Sequence, residues 1–265
     1  MGRFESTVPY YRRFRQPYPP AFFAGLARLL DLRGSEALID IGCGPAPLAL
    51  GFAPFVRRVC GIDPEPAMIA DARAAAAEAG VGLALWEGRI EEPPPDAGTF
   101  ELATIGRALH WLDPGAACAA LERLVAAGGN IVIAGAHTPE AENPWLPAYE
   151  KLREGLRDGT PYRFDPAGFF AGSRFALQAH YSTLSEHTIS VDILVGRFLS
   201  MSNTSPAALG PRVREAEEQL RAQLRPYAAA DGSLREVVEA RATIVSRAAR
   251  GNSRPRTGSL VPEGP

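Results

Sequence analysis

Between Ala37 and Gly135 the hydrophobic period of the sequence switches back and forth between that of a strand and that of a helix. Short apolar runs stand at Ala37–Ile41, Val56–Ile62, Val81–Trp86, Phe100–Ile105 and Asn130–Gly135. Helical stretches alternate with them: Pro45–Phe55, a run opened by Pro64 and stopped at Gly80, and Gly115–Ala127. Pro near a helix start and Gly just past its end are the boundaries expected from their backbone preferences. Strands this short and this apolar, separated by helices, predict a mostly parallel sheet buried on both faces. In such sheets, ligands bind beyond the carboxyl ends of the strands. The turns after each strand are therefore where chemistry is expected.

Composition narrows the classes. A chain of 265 residues with 46% apolar content is able to bury a full core. The net charge of -2 offers no broad field for nucleic acid or an anionic membrane, and neither partner is expected. Cys43, Cys60 and Cys118 are odd in number, far apart and each in an apolar run, against a disulfide framework or a metal site. The opening MGRFESTVPYYRRFR lacks the apolar core of a signal peptide, and no run approaches ~18 apolar residues. A soluble, cytoplasmic protein is expected.

Outside the alternating region, an aromatic and basic lead (Tyr10–Pro20) runs into the helical AFFAGLARLLDL. Residues 137–172 are rich in Pro, Gly and aromatics, and read as a cap. Phe175–Ser190 alternates as a strand or hairpin, helices are expected at Asp192–Met201 and Pro206–Leu224, and Leu234–Val245 reads as a final strand. From Arg250 the sequence loses periodicity and reads as a disordered tail.

The first strand enters a glycine turn, LIDIGCGPAPLAL. Gly42 and Gly44 satisfy the start of a dinucleotide fingerprint, but Pro47 stands where it needs Gly or Ala. Asp40 is more informative: a carboxylate beside the turn repels a pyrophosphate and favours a cationic, phosphate-free ligand such as S-adenosylmethionine. Asp63, at the end of the second strand, fits either a ribose-binding acid or a helix N-cap ahead of Pro64. Met68 suits an adenine contact or the core. Glu91 suits an adenine amino group or solvent, with Ile90 beside it. His110 and Trp111 follow the fourth strand in TIGRALHWLD, and His110 is the candidate general base.

In order, LIDIGCGPA, GIDPEPAMI, WEGRIEE and FELATIGRALHW resemble the motifs of class I S-adenosylmethionine-dependent methyltransferases. The closer likeness is to the small-molecule branch that includes trans-aconitate methyltransferase-like proteins, and the lead YRRFRQPYP is similar to the segment covering the cofactor there. The resemblance implies a Rossmann-like α/β fold: a seven-stranded, mostly parallel sheet whose last strand is antiparallel, helices on both faces, and a helical or irregular cap. It implies a cofactor-covering segment at 1–34, a cofactor-binding core at 35–136, a cap with the sixth strand at 137–232, a final strand at 233–249 and a tail at 250–265. By position, Gly42 and Gly44 would face the methionyl part of S-adenosylmethionine, Asp40 its ammonium through water, and Asp63 with Pro64 the ribose. Met68, Ile90 and Glu91 would surround the adenine, Gly106 and Arg107 would line the methionine side, and Tyr11, Arg15 and Tyr18 would close from the lead. Two positions depart from the family: Ala46 replaces a third glycine and Glu101 a commoner aspartate.

The expected activity is methyl transfer to oxygen or nitrogen of a small-molecule acceptor, in specialised metabolism, by in-line displacement needing alignment more than a nucleophile. The aromatics Trp145, Tyr162, Phe164, Phe169 and Phe170 point either to an apolar acceptor or to cap packing. A nicotinamide-dependent oxidoreductase and a non-catalytic S-adenosylmethionine-binding protein are the competing readings.

Overall fold

The computed structural model describes residues 8–156 and 165–247. Seven strands form one sheet in the order β3-β2-β1-β4-β5-β7-β6. Their ranges are β1 (Ala37–Ile41), β2 (Arg58–Asp63), β3 (Leu83–Glu87), β4 (Phe100–Gly106), β5 (Val125–His137), β6 (Phe175–Ser190) and β7 (Ser233–Arg247). All run parallel except β7, as expected from the sequence. β1 is buried along its whole length, which is why it is continuously apolar apart from Asp40. The order reverses beside β1, with β2 on one side and β4 on the other, so a crevice opens at their carboxyl ends. Register puts Ile41 beside both Ile62 and Ile105, bringing the turns after these strands together.

The chain folds as two compact units. Of the described residues, the first comprises 18–135, 165–183 and 241–247, and the second 8–17, 136–156 and 184–240. In the first, helices α2 (Pro20–Leu29), α3 (Pro47–Phe52), α4 (Pro66–Ala79), α5 (Pro114–Leu124) and α7 (Pro166–Phe169) accompany the strands. Its core gathers Ile39, Ile41, Ile62, Phe100, Ile105, Leu121 and Ile133, and takes in Phe170, Phe175 and Val245.

The second unit carries α1 (Val8–Phe14), α6 (Leu146–Leu156), α8 (Val191–Leu199), α9 (Pro206–Leu209) and α10 (Val213–Leu224). On α10, Ala216, Leu220 and Leu224 recur every four residues and form its buried stripe. They meet Trp145, Tyr149, Leu152, Leu194 and Phe198. Arg197 is buried against Glu236, with both carboxylate oxygens engaged, and its Nε donates to the Phe14 carbonyl at 3.1 Å. Asn143, fully buried, donates to the carbonyl of Val237 and accepts from its amide, both at 2.9 Å, completing that strand's bonding as a neighbouring strand would.

Several expected boundaries move, each for a local reason. α4 begins at Pro66 instead of Pro64 because the Asp63 carboxylate accepts the Glu65 amide in a turn of its own. α5 stops at Leu124 and β5 starts at Val125; Phe100 faces Val125 but Leu102 faces Asn130, so residues 126–129 bulge out of the ladder. Phe175–Ser190 is one strand and not a hairpin. The helix expected over Pro206–Leu224 is broken by Gly210 at φ 55 and by Pro211 after it. Residues 137–172 hold a regular helix, α6, and Trp145 and Phe170 are core residues of the second and first units respectively. Packing accounts for Trp145 and Phe170, and Phe169 packs against the first core as well. Tyr162, Phe164 and the expected tail at 250–265 lie outside the described residues. The three cysteines are free and buried. Among the described residues no helix is long and apolar enough to cross a membrane.

Candidate active site

The turn after β1 is built from three left-handed residues: Gly42 at φ 61, Gly44 at φ 53 and Ala46 at φ 61. This winding brings the chain directly into α3, with Ala46 N donating to the Cys43 carbonyl at 2.8 Å. A side chain at Gly42 would put its Cβ 2.7 Å from that of Ala108, so only glycine fits. At Gly44 the situation is open: a Cβ would meet nothing nearer than the Met68 sulfur at 3.9 Å. The turn thus presents bare backbone next to a thioether on α4, a cradle of the kind a ligand approaches closely.

Two buried acids hold this turn. Asp40 is only 1% exposed; its Oδ1 accepts the Thr104 hydroxyl at 2.7 Å, and its Oδ2 accepts the Ala49 amide, in the first turn of α3, at 3.2 Å. The Thr104 contact follows from register, since Asp40 of β1 lies beside Thr104 of β4. Burial, with a smaller push from the neighbouring Asp63, raises the Asp40 pKa to about 7 against the opposing pull of the Thr104 and Ala49 hydrogen bonds. Asp63 receives the Gly44 amide at 2.8 Å and the Glu65 amide at 2.9 Å. Its pKa is raised too, burial outweighing both amides. Cys43, beneath the same turn, is pushed well above the usual thiol range by burial and by both acids. This environment disfavours added negative charge and is relieved by a cation.

The remaining candidates divide by place. Gly106 ends β4, and a Cβ there would strike Leu48 at 2.8 Å while lying 3.8 Å from the Tyr18 hydroxyl. Tyr18 is buried, stacks on Phe22 at 5.4 Å, and carries the Arg107 guanidinium 5.0 Å over its ring. Arg107 holds a left-handed backbone at φ 57, a conformation a residue with a Cβ adopts at a cost of about 1 kcal/mol or more. Pro64 is exposed beside Asp63, and Met68 is buried at the Gly44 side of α4. The Ile90 side chain is committed to the core. Glu91 pairs with Arg89 at 3.4 Å, yet its buried Oε2 makes no hydrogen bond among the described residues. His110 is exposed on the short turn Leu109–Trp111, its ring 4.5 Å from that of Trp111, itself 37% exposed.

All of these belong to the first unit. Tyr11 and Arg15 belong to the second, where Arg15 lies over the Tyr11 ring at 4.9 Å and donates to the Ser200 carbonyl at 3.0 Å. Thr104 was not singled out from the sequence. A threonine inside an apolar strand was the available signal, but its partner stands 64 positions earlier.

Residues 39–133 match a family model described as a methyltransferase domain. The chain is 27% identical over 228 residues to Rv3342 of Mycobacterium tuberculosis, named an uncharacterized methyltransferase, covering 82% of this chain and 84% of that protein. It shares its fold with a candidate type II methyltransferase from Anaeromyxobacter dehalogenans (TM-score 0.60, 22% identity, 88% of this chain and 98% of that one). The YcgJ protein of Bacillus subtilis is a further structural match (TM-score 0.54, 20% identity, 86% and 98%). The motif order, the strand order and the glycine turn agree with the methyltransferase-domain match over residues 39–133, and together they support a class I S-adenosylmethionine-dependent methyltransferase.

Proposed function

We propose that this methyltransferase binds S-adenosylmethionine at the turn after β1 and passes its methyl group to oxygen or nitrogen of a small-molecule acceptor. The observation that carries the reading is the pair of buried acids, Asp40 and Asp63, clamped on a bare-backbone turn. A phosphate-bearing cofactor would be repelled by that pair, whereas an ammonium and a sulfonium complement it. Oε2 of Glu91, buried and held by the Arg89 ion pair but by no hydrogen bond among the described residues, supports a hydrogen-bond donor there, as an adenine amino group supplies. When bound, S-adenosylmethionine supplies a methyl group already activated by its sulfonium.

The chain's own part is then placement. Gly42 and Gly44 admit the methionyl moiety, Asp63 and Pro64 take the ribose, and Met68, the Ile90 amide and Glu91 surround the adenine. Asp40 fixes the turn through Ala49 and Thr104, and Gly106, Arg107 and Tyr18 line the methionine side. Tyr11 and Arg15 remain candidates from the lead. For an alcohol or amine acceptor, His110 accepts the proton; an acidic acceptor needs no base. The near-neutral charge favours a small acceptor over nucleic acid. Three unbridged thiols suit the reducing cytoplasm.

Titration calorimetry with S-adenosylmethionine and, separately, NAD tests the reading. Saturable binding of the first alone is expected; no heat with S-adenosylmethionine at about millimolar concentration, or binding of NAD instead, rejects it. His110→Ala is expected to leave that binding intact and to slow turnover on an alcohol or amine by about 100-fold.

A further inference from the structure

β6 stands last in the strand order, with β7 as its one neighbour in the sheet. Among the described residues, no strand pairs with its outer side. It is 16 residues long, about 50 Å at the rise of an extended chain. Strand edges of this length are normally blunted by Lys, Pro, a bulge or an inward charge. FALQAHYSTLSEHTIS contains no Pro, Gly, Lys or Arg, and Glu186 is its single carboxylate. It also carries Leu177 and Leu184, at 45% and 61% exposure two of the most exposed large apolar side chains of the protein.

We propose that this edge pairs antiparallel with the same edge of a second copy of the chain, about a two-fold axis at Thr183. Hydrogen-bonding complementarity between His180 and Glu186 fixes the register. With the axis at Thr183, His180 of each copy faces Glu186 of the other, so two such pairs form. Leu177 then faces Ile189, Thr183 faces its own equivalent, and the two Leu184 side chains meet diagonally across the axis, all favourable cross-strand pairs. A slip of one residue sets His180 against Ser185 or His187 and loses both His180–Glu186 hydrogen bonds. Each partner is already oriented from the inner side. Arg235 of β7 holds the Glu186 carboxylate at 2.8 Å, and Thr243 lies 3.2 Å from Nδ1 of His180. With the Thr243 hydroxyl donating to Nδ1, Nε2 carries the proton and is the donor that Glu186 needs.

Sedimentation equilibrium over about 1–100 µM tests this on the full chain. A dimer is expected. His180→Glu should weaken it at least tenfold by opposing two carboxylates, and Glu186→His should weaken it by removing the acceptor. The double variant, with the pair exchanged, should restore it. Leu184→Lys, at a position already facing solvent, should also weaken it tenfold or more, with melting temperatures serving as the control for folding. A chain still monomeric at about 100 µM, its edge then free for an extended segment of another protein, overturns the proposal. So does a dimer indifferent to His180→Glu and Leu184→Lys, or a double variant no tighter than the single ones.

Discussion

Replacing Asp40 with Asn isolates the electrostatic strain under the glycine turn. The folded-state pKa of Asp40 is about 7, against an ordinary 3.8, because burial outweighs the Thr104 and Ala49 hydrogen bonds. Between those two values the unfolded chain has lost a proton that the folded chain keeps. The folded state binds more protons there, so stability falls as pH rises from near 4 through about 7, and then levels. A difference of about three pK units corresponds to about 4 kcal/mol in full, of which about 2–3 kcal/mol develops between pH 5 and 8. Asn keeps an oxygen for the Thr104 hydroxyl but sets its amide against the Ala49 N–H, a loss of about 1 kcal/mol that does not vary with pH. Urea unfolding of both proteins at pH 5 and 8 separates the two effects. The stability of the wild type relative to Asp40→Asn should fall by about 2–3 kcal/mol across that interval. Parallel pH profiles for the two proteins would show that Asp40 is ionised throughout, and would refute the argument that the turn carries uncompensated negative charge.

Three further substitutions probe the same architecture. Asp63→Ala removes the acceptor for the Gly44 and Glu65 amides; stability should drop by about 2–3 kcal/mol in urea, and S-adenosylmethionine affinity by calorimetry should fall at least tenfold. Glu236→Gln leaves the Arg197 guanidinium buried without a counter-charge, and denaturant unfolding should register a loss of about 3–5 kcal/mol. At Ala46, glycine relieves about 1 kcal/mol of left-handed strain but gives up a buried methyl and unfolded-chain entropy of about the same size together. Ala46→Gly should therefore shift stability by less than about 1 kcal/mol, whereas Ala46→Val, β-branched at φ 61, should lower it by more than about 2 kcal/mol in the same assay.

The parallel core was legible because strands buried on both faces must be apolar throughout, and Ala37–Ile41 was read to the residue. The ends of elements were less so, since they are set by partners the sequence does not place side by side. The Asp63–Glu65 turn delays α4, and the bulge at 126–129 depends on how β5 must align with β4. The site shows the same division. A carboxylate beside the turn was visible. Its contacts were not visible, because Thr104 reaches Asp40 only through the register of β1 and β4. Those contacts alter the part Asp40 plays. Both of its oxygens already accept hydrogen bonds from the chain, from Thr104 at 2.7 Å and from the Ala49 amide at 3.2 Å. The acid thus holds the turn in shape, and under the proposed function its charge would act on the cofactor through the field of a poorly solvated site rather than by direct contact. Gly42 cannot be replaced without striking Ala108, whereas Ala46 occupies the third left-handed position at a tolerable cost. The family's glycine pattern is therefore required at one end of the turn, where the backbone meets the start of the next loop, and relaxed at the other, where the turn becomes helix.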